Sequence, residues 1–203
     1  MIDKLERALK GGMATAREIT DAKYALARRA ELEKLIDVAY SEVDSPLGPL
    51  MAAATPKGLA LLHYGEDDEA LQQLADKISP RVLHAPARLD EVRKELDEYF
   101  DGKRKRFDFR IDWRLMAPFQ QKVLKATYRI PFGKVATYRD VATKAGAPKG
   151  SRAAGNALGA NPIPIVVPCH RVVRTGGGLG GYTGGLHRKE FLLELEGVTL
   201  GPR

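Results

Sequence analysis

The sequence predicts an α/β N-terminal domain, built as an antiparallel sheet with helices, and a mostly α-helical C-terminal domain carrying a winged-helix-like helix-turn-helix. Three observations predict it. From Val38 the apolar residues fall into short β-type runs separated by Gly/Pro turns. From Ala117 they fall at helical spacing between capping and stop signals. Charge divides at the same place: residues 1–116 hold 20 Lys+Arg against 22 Asp+Glu, and residues 117–203 hold 13 against 4, so +9 of charge in the second part outweighs −2 in the first to make the net +7. The expected organisation is a helical extension over 1–36, an α/β support domain over 37–116 and a basic domain over 117–203.

In the extension, Ile2, Leu5 and Leu9 keep a helical spacing until Gly11-Gly12 breaks it. Thr15-x-x-Glu18 is a capping box opening a second helix through about Ile36, with Ile19, Ala22 and Leu26 as a thin apolar stripe on a surface helix. Val38–Val43, Leu50–Ala54 and Leu59–Tyr64, joined by Ser45-Pro46-Leu47-Gly48 and Thr55-Pro56-Lys57-Gly58, predict an antiparallel meander. Two helices follow, about Glu66–Ile78 and Leu89–Phe100, the second closed by Gly102. Phe107–Ile111 alternates apolar and polar and predicts another strand. The run Lys103-Arg104-Lys105-Arg106 reads as a charged turn before it, with phosphate contact as the competing reading.

In the basic domain, Pro118 suits the first turn of a helix whose apolar positions are Phe119, Val123, Leu124 and Tyr128. Thr137-x-x-Asp140 caps a second, with Tyr138, Val141, Ala142 and Ala145 on one face and Gly146 as its stop. Ser151 is the expected N-cap of a third helix, Arg152 to about Ala160, and the tight turn between the last two makes a helix-turn-helix. A final helix is expected over about His187–Glu196, burying Phe191, Leu192 and Leu195. Glu196 falls at its C-terminus, where the helix dipole disfavours a carboxylate unless a partner offsets it.

The chain holds one cysteine, Cys169, at the end of the β-branched run Pro164-Ile165-Val166-Val167-Pro168 and directly before His170. That run predicts a short buried strand or extended segment delivering the thiol at a fixed place. His170 can take the thiol proton, and Arg171 adds charge that favours the thiolate. An inert buried thiol is the commoner fate of a free cysteine.

Composition excludes several classes. A single cysteine forbids an internal disulfide and a Cys-rich zinc site, and favours a reducing cytoplasm. The four histidines lack ligand spacing, so no metal is expected. The N-terminus has acids where a signal peptide is basic, and no run is long enough to span a membrane. Gly176, Gly178 and Gly181 fit G-x-G-x-x-G without the βαβ context that a dinucleotide site needs. The basic half favours a polyanion through phosphate contacts and counterion release.

Asn161-Pro-Ile-Pro-Ile-Val-Val-Pro-Cys-His-Arg-Val172 resembles the active-site signature of the O6-alkylguanine-DNA alkyltransferases, the methylated-DNA–protein-cysteine methyltransferases. Ser-Pro-Leu-Gly, Thr-x-x-Gly-Leu and Tyr-Phe-x-Gly, in that order, are similar to the same family's N-terminal domain. The resemblance implies a ribonuclease-H-like shape for 37–116, with no catalytic role. It implies that Cys169 accepts the alkyl group, that His170 and Glu196 complete a Cys–water–His–Glu chain, and that Asn161 braces the turn. It places Arg152 in the base stack vacated by a flipped nucleotide and Tyr138 on the 3′ phosphate and the leaving guanine. Ser151, Ala153, Ala154 and Lys149 are then DNA contacts, and Val172, Tyr182, Thr183 and Gly184 line the guanine pocket.

The function so implied is DNA repair by irreversible, single-turnover transfer of an alkyl group, methyl above all, from O6-alkylguanine to Cys169, with O4-alkylthymine as a second candidate substrate. The implied protein is a cytoplasmic monomer that binds double-stranded DNA with alkylated bases at the minor groove and flips the nucleotide. It needs no cofactor, because the thiol is the final acceptor, and no membrane. A non-catalytic binder of alkylated DNA and a Cys-His-Glu hydrolase are the rival readings; the first lacks a use for Cys169, the second for the helix-turn-helix.

Overall fold

The computed structural model describes residues 15–65 and 67–199. The expected helix through Ile2, Leu5 and Leu9 lies outside them, as does Glu66.

Helix α1 (Ala16–Leu32) begins at the expected capping box, in which Thr15 Oγ1 accepts from the Glu18 amide and the Glu18 carboxylate accepts from the Thr15 amide. Its packing face differs from the expected stripe. Ala27 and Ala30 are buried with Ile36, Ala39 and Ala85, whereas Ile19 and Leu26 are 46% and 59% exposed. Small residues let the helix sit close to the sheet, and the larger apolar side chains point away.

Strands β1 (Val38–Val43), β2 (Leu50–Thr55) and β3 (Gly58–Tyr64) form the expected meander. Helix α2 (Asp68–Lys77) follows, capped by Asp67. The short strand β4 (Val82–His84), which no sequence pattern marked, then pairs parallel to β1 and completes the order β3-β2-β1-β4. Helix α3 (Asp90–Phe100) buries Val92, Leu96 and Tyr99 against the sheet.

Phe107–Ile111 is not a strand. Phe107 and Phe109 are buried as the alternation requires, but pairing is confined to the end of the segment, where Leu59 donates to the Arg110 carbonyl and Asp112 donates to the Leu59 carbonyl. The approach is close there: a Cβ on Gly58 would lie 2.1 Å from the Arg110 oxygen. Of the neighbouring basic run, Arg104 is paired with Glu95 and Glu98 of α3 and with Asp108, and Lys103 with Asp101, so two of its four charges are satisfied by carboxylates close to the turn.

Helices α4 (Pro118–Tyr128), α5 (Tyr138–Lys144) and α6 (Ser151–Gly159) pack on one another. Val123 and Leu124 are buried as expected, whereas Phe119 is 37% exposed. Ser151 is the first residue inside α6, not its cap; Gly150 takes that position, without a side-chain cap. Strand β5 (Ala136–Thr137) runs parallel to β6 (Val172–Val173), which fixes the start of α5 beside the segment that follows Cys169. Helix α7 (Leu186–Leu195) closes the fold. One hydrophobic cluster, from Val43 in the sheet to Leu192 in α7, runs through both domains, so the sheet domain and the helical domain share a core.

Candidate active site

The run before Cys169 is a compact turn where a short strand or extended segment was expected. Pro162, Pro164 and Pro168 have no amide hydrogen to give a sheet. Three further amides bond locally, Val166 to Pro164 O, Val167 to Ile163 O and Cys169 to Val167 O. Ile165 adopts φ +71°, a left-handed conformation that costs a β-branched residue about 1–3 kcal/mol. Complete burial of Ile163 and Ile165 holds the turn in that state. Asn161 ties it from the other side: its Oδ1 accepts from the Ile163 amide at 3.1 Å, and its Nδ2 donates to the Val167 carbonyl at 2.9 Å and to Cys169 Sγ at 3.2 Å.

Cys169 and His170 open a single 3-10 turn, Cys169–Arg171. Burial pushes the thiol up to about 11, against the opposing pull of the Asn161 hydrogen bond and the Lys189 charge. Burial likewise lowers His170. At neutral pH the resting pair is therefore a thiol beside a neutral imidazole. The ionised Glu196 accepts from His170 Nε2 at 2.9 Å, which assigns the ring proton to Nε2. Nδ1 then carries the free lone pair, and it has no hydrogen-bond partner among the described residues.

Glu196 sits at the C-terminus of α7 with the partners such a position demands. Arg171 donates to it through Nε and Nη2, both at 2.8 Å, the Tyr99 hydroxyl donates at 2.7 Å and the Gly133 amide at 3.2 Å. Desolvation alone would raise its pKa; the hydrogen bonds from His170 and Arg171 outweigh it and hold the carboxyl down at about 2. Arg171 is thus spent on Glu196 and on the Ile130 carbonyl, and it does not serve the thiol as expected.

The charge that does serve the thiol is Lys189, which sequence reasoning missed. Lys189 is fully buried, and its ammonium donates to the carbonyls of Val172, Leu179 and Gly181. Burial depresses it to about 8, so it remains mostly protonated at neutral pH. A signal existed: Lys189, Leu192, Leu193 and Glu196 fall at i, i+3, i+4 and i+7, which puts both charges on the buried face of α7. Substituting Lys189→Met removes a cation near Sγ and unties the loop 174–184. Alkylation of the Cys169 thiol by a small electrophile such as iodoacetamide is expected to slow by about tenfold or more, about 1.4 kcal/mol of barrier.

Cys169 opens into a cleft of about 800 Å³ lined also by Tyr138, Ser151, Arg152, Tyr182 and Thr183. Arg152 is exposed on α6, with Ala153 and Lys149 also exposed nearby. Ala154 is fully buried in the core cluster; it packs α6 in place and is unavailable as a DNA contact. The Tyr138 hydroxyl donates to the Gly181 carbonyl at 3.4 Å. The Tyr182 hydroxyl meets that of Tyr64, from β3, at 2.7 Å, and its ring stands edge-on to His170. Thr183 Oγ1 donates to the Gly159 carbonyl at 2.5 Å and so links the pocket loop to the end of α6. Gly184 is buried against Tyr64, where a Cβ would come within 2.5 Å of the ring. Val172 is buried on β6, its carbonyl held by Lys189. Among the described residues no group of His, Cys, Asp and Glu could hold a metal ion, and no helix is long and apolar enough to cross a membrane.

Two family models match the chain. Residues 118–198 match the 6-O-methylguanine DNA methyltransferase DNA-binding domain, and residues 38–113 match the ribonuclease-like domain of the same family. A methylated-DNA–protein-cysteine methyltransferase of Methanosarcina barkeri is 38% identical over 161 residues, 77% of this chain and 96% of the relative. One from Mycobacterium bovis is 40% identical over 160 residues, 77% of this chain and 91% of the relative. Among solved structures, Mycobacterium tuberculosis OGT in complex with DNA superposes with a TM-score of 0.68 at 39% identity, covering 78% of this chain and 92% of that one.

Proposed function

We propose that Cys169 is the alkyl acceptor of this chain, which belongs to the 6-O-methylguanine DNA methyltransferase family and repairs DNA by alkyl transfer to a cysteine. The observation that carries the proposal is the placement of the sole thiol: Sγ lies at the floor of a cleft whose wall is the Arg152 helix, with Asn161 on one side and the His170–Glu196 pair behind.

In this reading residues 37–116 are the ribonuclease-H-like support and residues 117–203 bind DNA through the helix-turn-helix of α5 and α6. Helix α6 presents few long side chains, which suits backbone and shape contacts in a minor groove better than base reading in the major groove. The alkylated nucleotide is flipped into the cleft at a cost of a few kcal/mol, and Arg152 fills its place in the stack. Lys149, in the turn before α6, and Ser151 and Ala153, on its first turn, flank Arg152.

The pKa values set the order of events. Because both Cys169 and His170 rest neutral, the thiol proton must move to His170 Nδ1, directly or through one water, as Sγ attacks the alkyl carbon. The new bond is S–C and the broken bond is C–O6. The electron pair leaves with the guanine, which takes a proton from Tyr138. Glu196 stabilises the imidazolium that results. A thioether has no easy leaving path, so each molecule acts once.

Mixing the protein with a duplex containing one O6-methylguanine should add one methyl, at one per chain, to the peptide carrying Cys169; DNA binding without this mass gain would overturn the proposal. A methyl on Sγ also has to fit where Asn161 Nδ2 now stands at 3.2 Å. Overpacking of this kind costs about 1–3 kcal/mol. The spent protein should therefore melt lower by about 2–4 °C for each kcal/mol, opening first around Asn161. Equal melting of spent and fresh protein would refute that.

A further inference from the structure

We propose that Tyr99, contributed by the N-terminal domain, is a positioning residue of the alkyl-transfer centre that acts through Glu196 on His170; this rests on the alkyl-transfer reading above. The sequence implied no catalytic part for that domain, and the hydroxyl of Tyr99 is the observation that argues otherwise.

Tyr99 is fully buried in α3, with its ring packed against Phe100, Phe107 and Phe132. A phenylalanine would serve that packing. A buried hydroxyl costs free energy unless it is bonded, and this one is bonded to Glu196 Oε1 at 2.7 Å. The same oxygen accepts from His170 Nε2 at 2.9 Å and Arg171 Nη2 at 2.8 Å. A carboxylate offers about four lone-pair sites, and here two oxygens serve five donors. Each donor draws on the negative charge that stabilises an imidazolium at His170. Tyr99 therefore does two things. It fixes the rotation of the carboxylate, and with it the His170 ring, and it makes Oε1 a weaker acceptor, which keeps the imidazole neutral until the thiol gives up its proton. Because α3 belongs to the sheet domain, the docking of that domain is coupled to the chemistry.

The other groups facing His170 and Glu196 are Arg171, Lys189, Cys169 and Tyr182, all of which Tyr99→Phe leaves in place. The test uses the full chain and two reactions, each followed from about pH 4, because burial lowers His170, to about pH 9, beyond the ordinary histidine range of about pH 5 to 8. One is single-turnover methyl transfer from an O6-methylguanine duplex; the other is alkylation of Cys169 by iodoacetamide, which needs no DNA. In Tyr99→Phe the neutral-pH rates should fall by about threefold to tenfold, and the acid limb of both profiles should move to higher pH, because Oε1 freed of Tyr99 binds the His170 proton more strongly. A fluorotyrosine at position 99, a stronger donor, should move the limb to lower pH. Profiles that superimpose on the native ones after scaling, whatever the melting temperature does, would overturn the proposal. If the native protein takes no methyl from the duplex, the alkyl-transfer reading fails, and the iodoacetamide profiles still decide the part of Tyr99.

Discussion

Cys169→Ala is expected to take up no methyl from an O6-methylguanine duplex at any time or protein excess, while binding the same duplex within about threefold of the native affinity, ~0.6 kcal/mol. The expectation of total loss follows from the thiol being both nucleophile and final acceptor. A hydrolase that loses its nucleophile keeps some rate through the rest of its site, but here no second group can hold the product. Preserved affinity follows from placement. Cys169 is only 6% exposed at the cleft floor, whereas Arg152, Ala153 and Lys149 lie exposed on and beside α6. Intact mass and a binding isotherm on the same sample check both halves. Residual methylation in Cys169→Ala would mean another acceptor; a large loss of affinity would mean that the thiol side chain helps hold the flipped base.

Glu196→Ala should be the most destabilising single change in the site. It removes the acceptor of five hydrogen bonds and leaves Arg171, 6% exposed, as an unpaired buried cation. Breaking a buried ion pair from one side costs about 3–5 kcal/mol. For a chain of this size that corresponds to a fall in melting temperature of about 6–20 °C. Transfer activity should be lost as well, since His170 then has nothing to hold its tautomer or its charge. The native protein carries a related pH signature. Glu196 is held at about 2 against an ordinary 4.5, so between those values the unfolded chain binds more protons than the folded one. The stabilisation is fully present above about pH 4.5 and is lost as pH falls through about 2. Glu196→Gln should remove that dependence, and a melting curve series over acid pH is the check. An unchanged acid limb would show that the stabilisation comes from other carboxylates.

Much of the chemistry was legible because it is local. Cys169 and His170 are adjacent, Thr15-x-x-Glu18 and Thr137-x-x-Asp140 are capping boxes within one helical turn, and the meander announces itself by period and by its turns. Sequence pattern and fold part where a pattern needs a partner to become an element. Phe107–Ile111 alternates like a strand, yet has a neighbour only at its end; Ile163–Val167 is β-branched like a strand, yet three prolines and the φ of Ile165 turn it into a loop. Strand β4 is three residues long and exists only because β1 lies beside it. The same division runs through the site.

The single thiol, the histidine beside it, the basic half of the chain and the order of the helices that carry them are legible from the residue order, because each depends on residues close together in the chain. Which charge serves which group emerges only from the folded arrangement. Arg171 is adjacent to the Cys169–His170 pair but is neutralised by Glu196, 25 residues away; Lys189, which sequence reasoning did not single out, is the buried cation whose charge acts on the thiol; and Tyr99 reaches Glu196 across 97 residues. Electrostatic partnership follows distance in space and exclusion of water, and neither is written in local spacing.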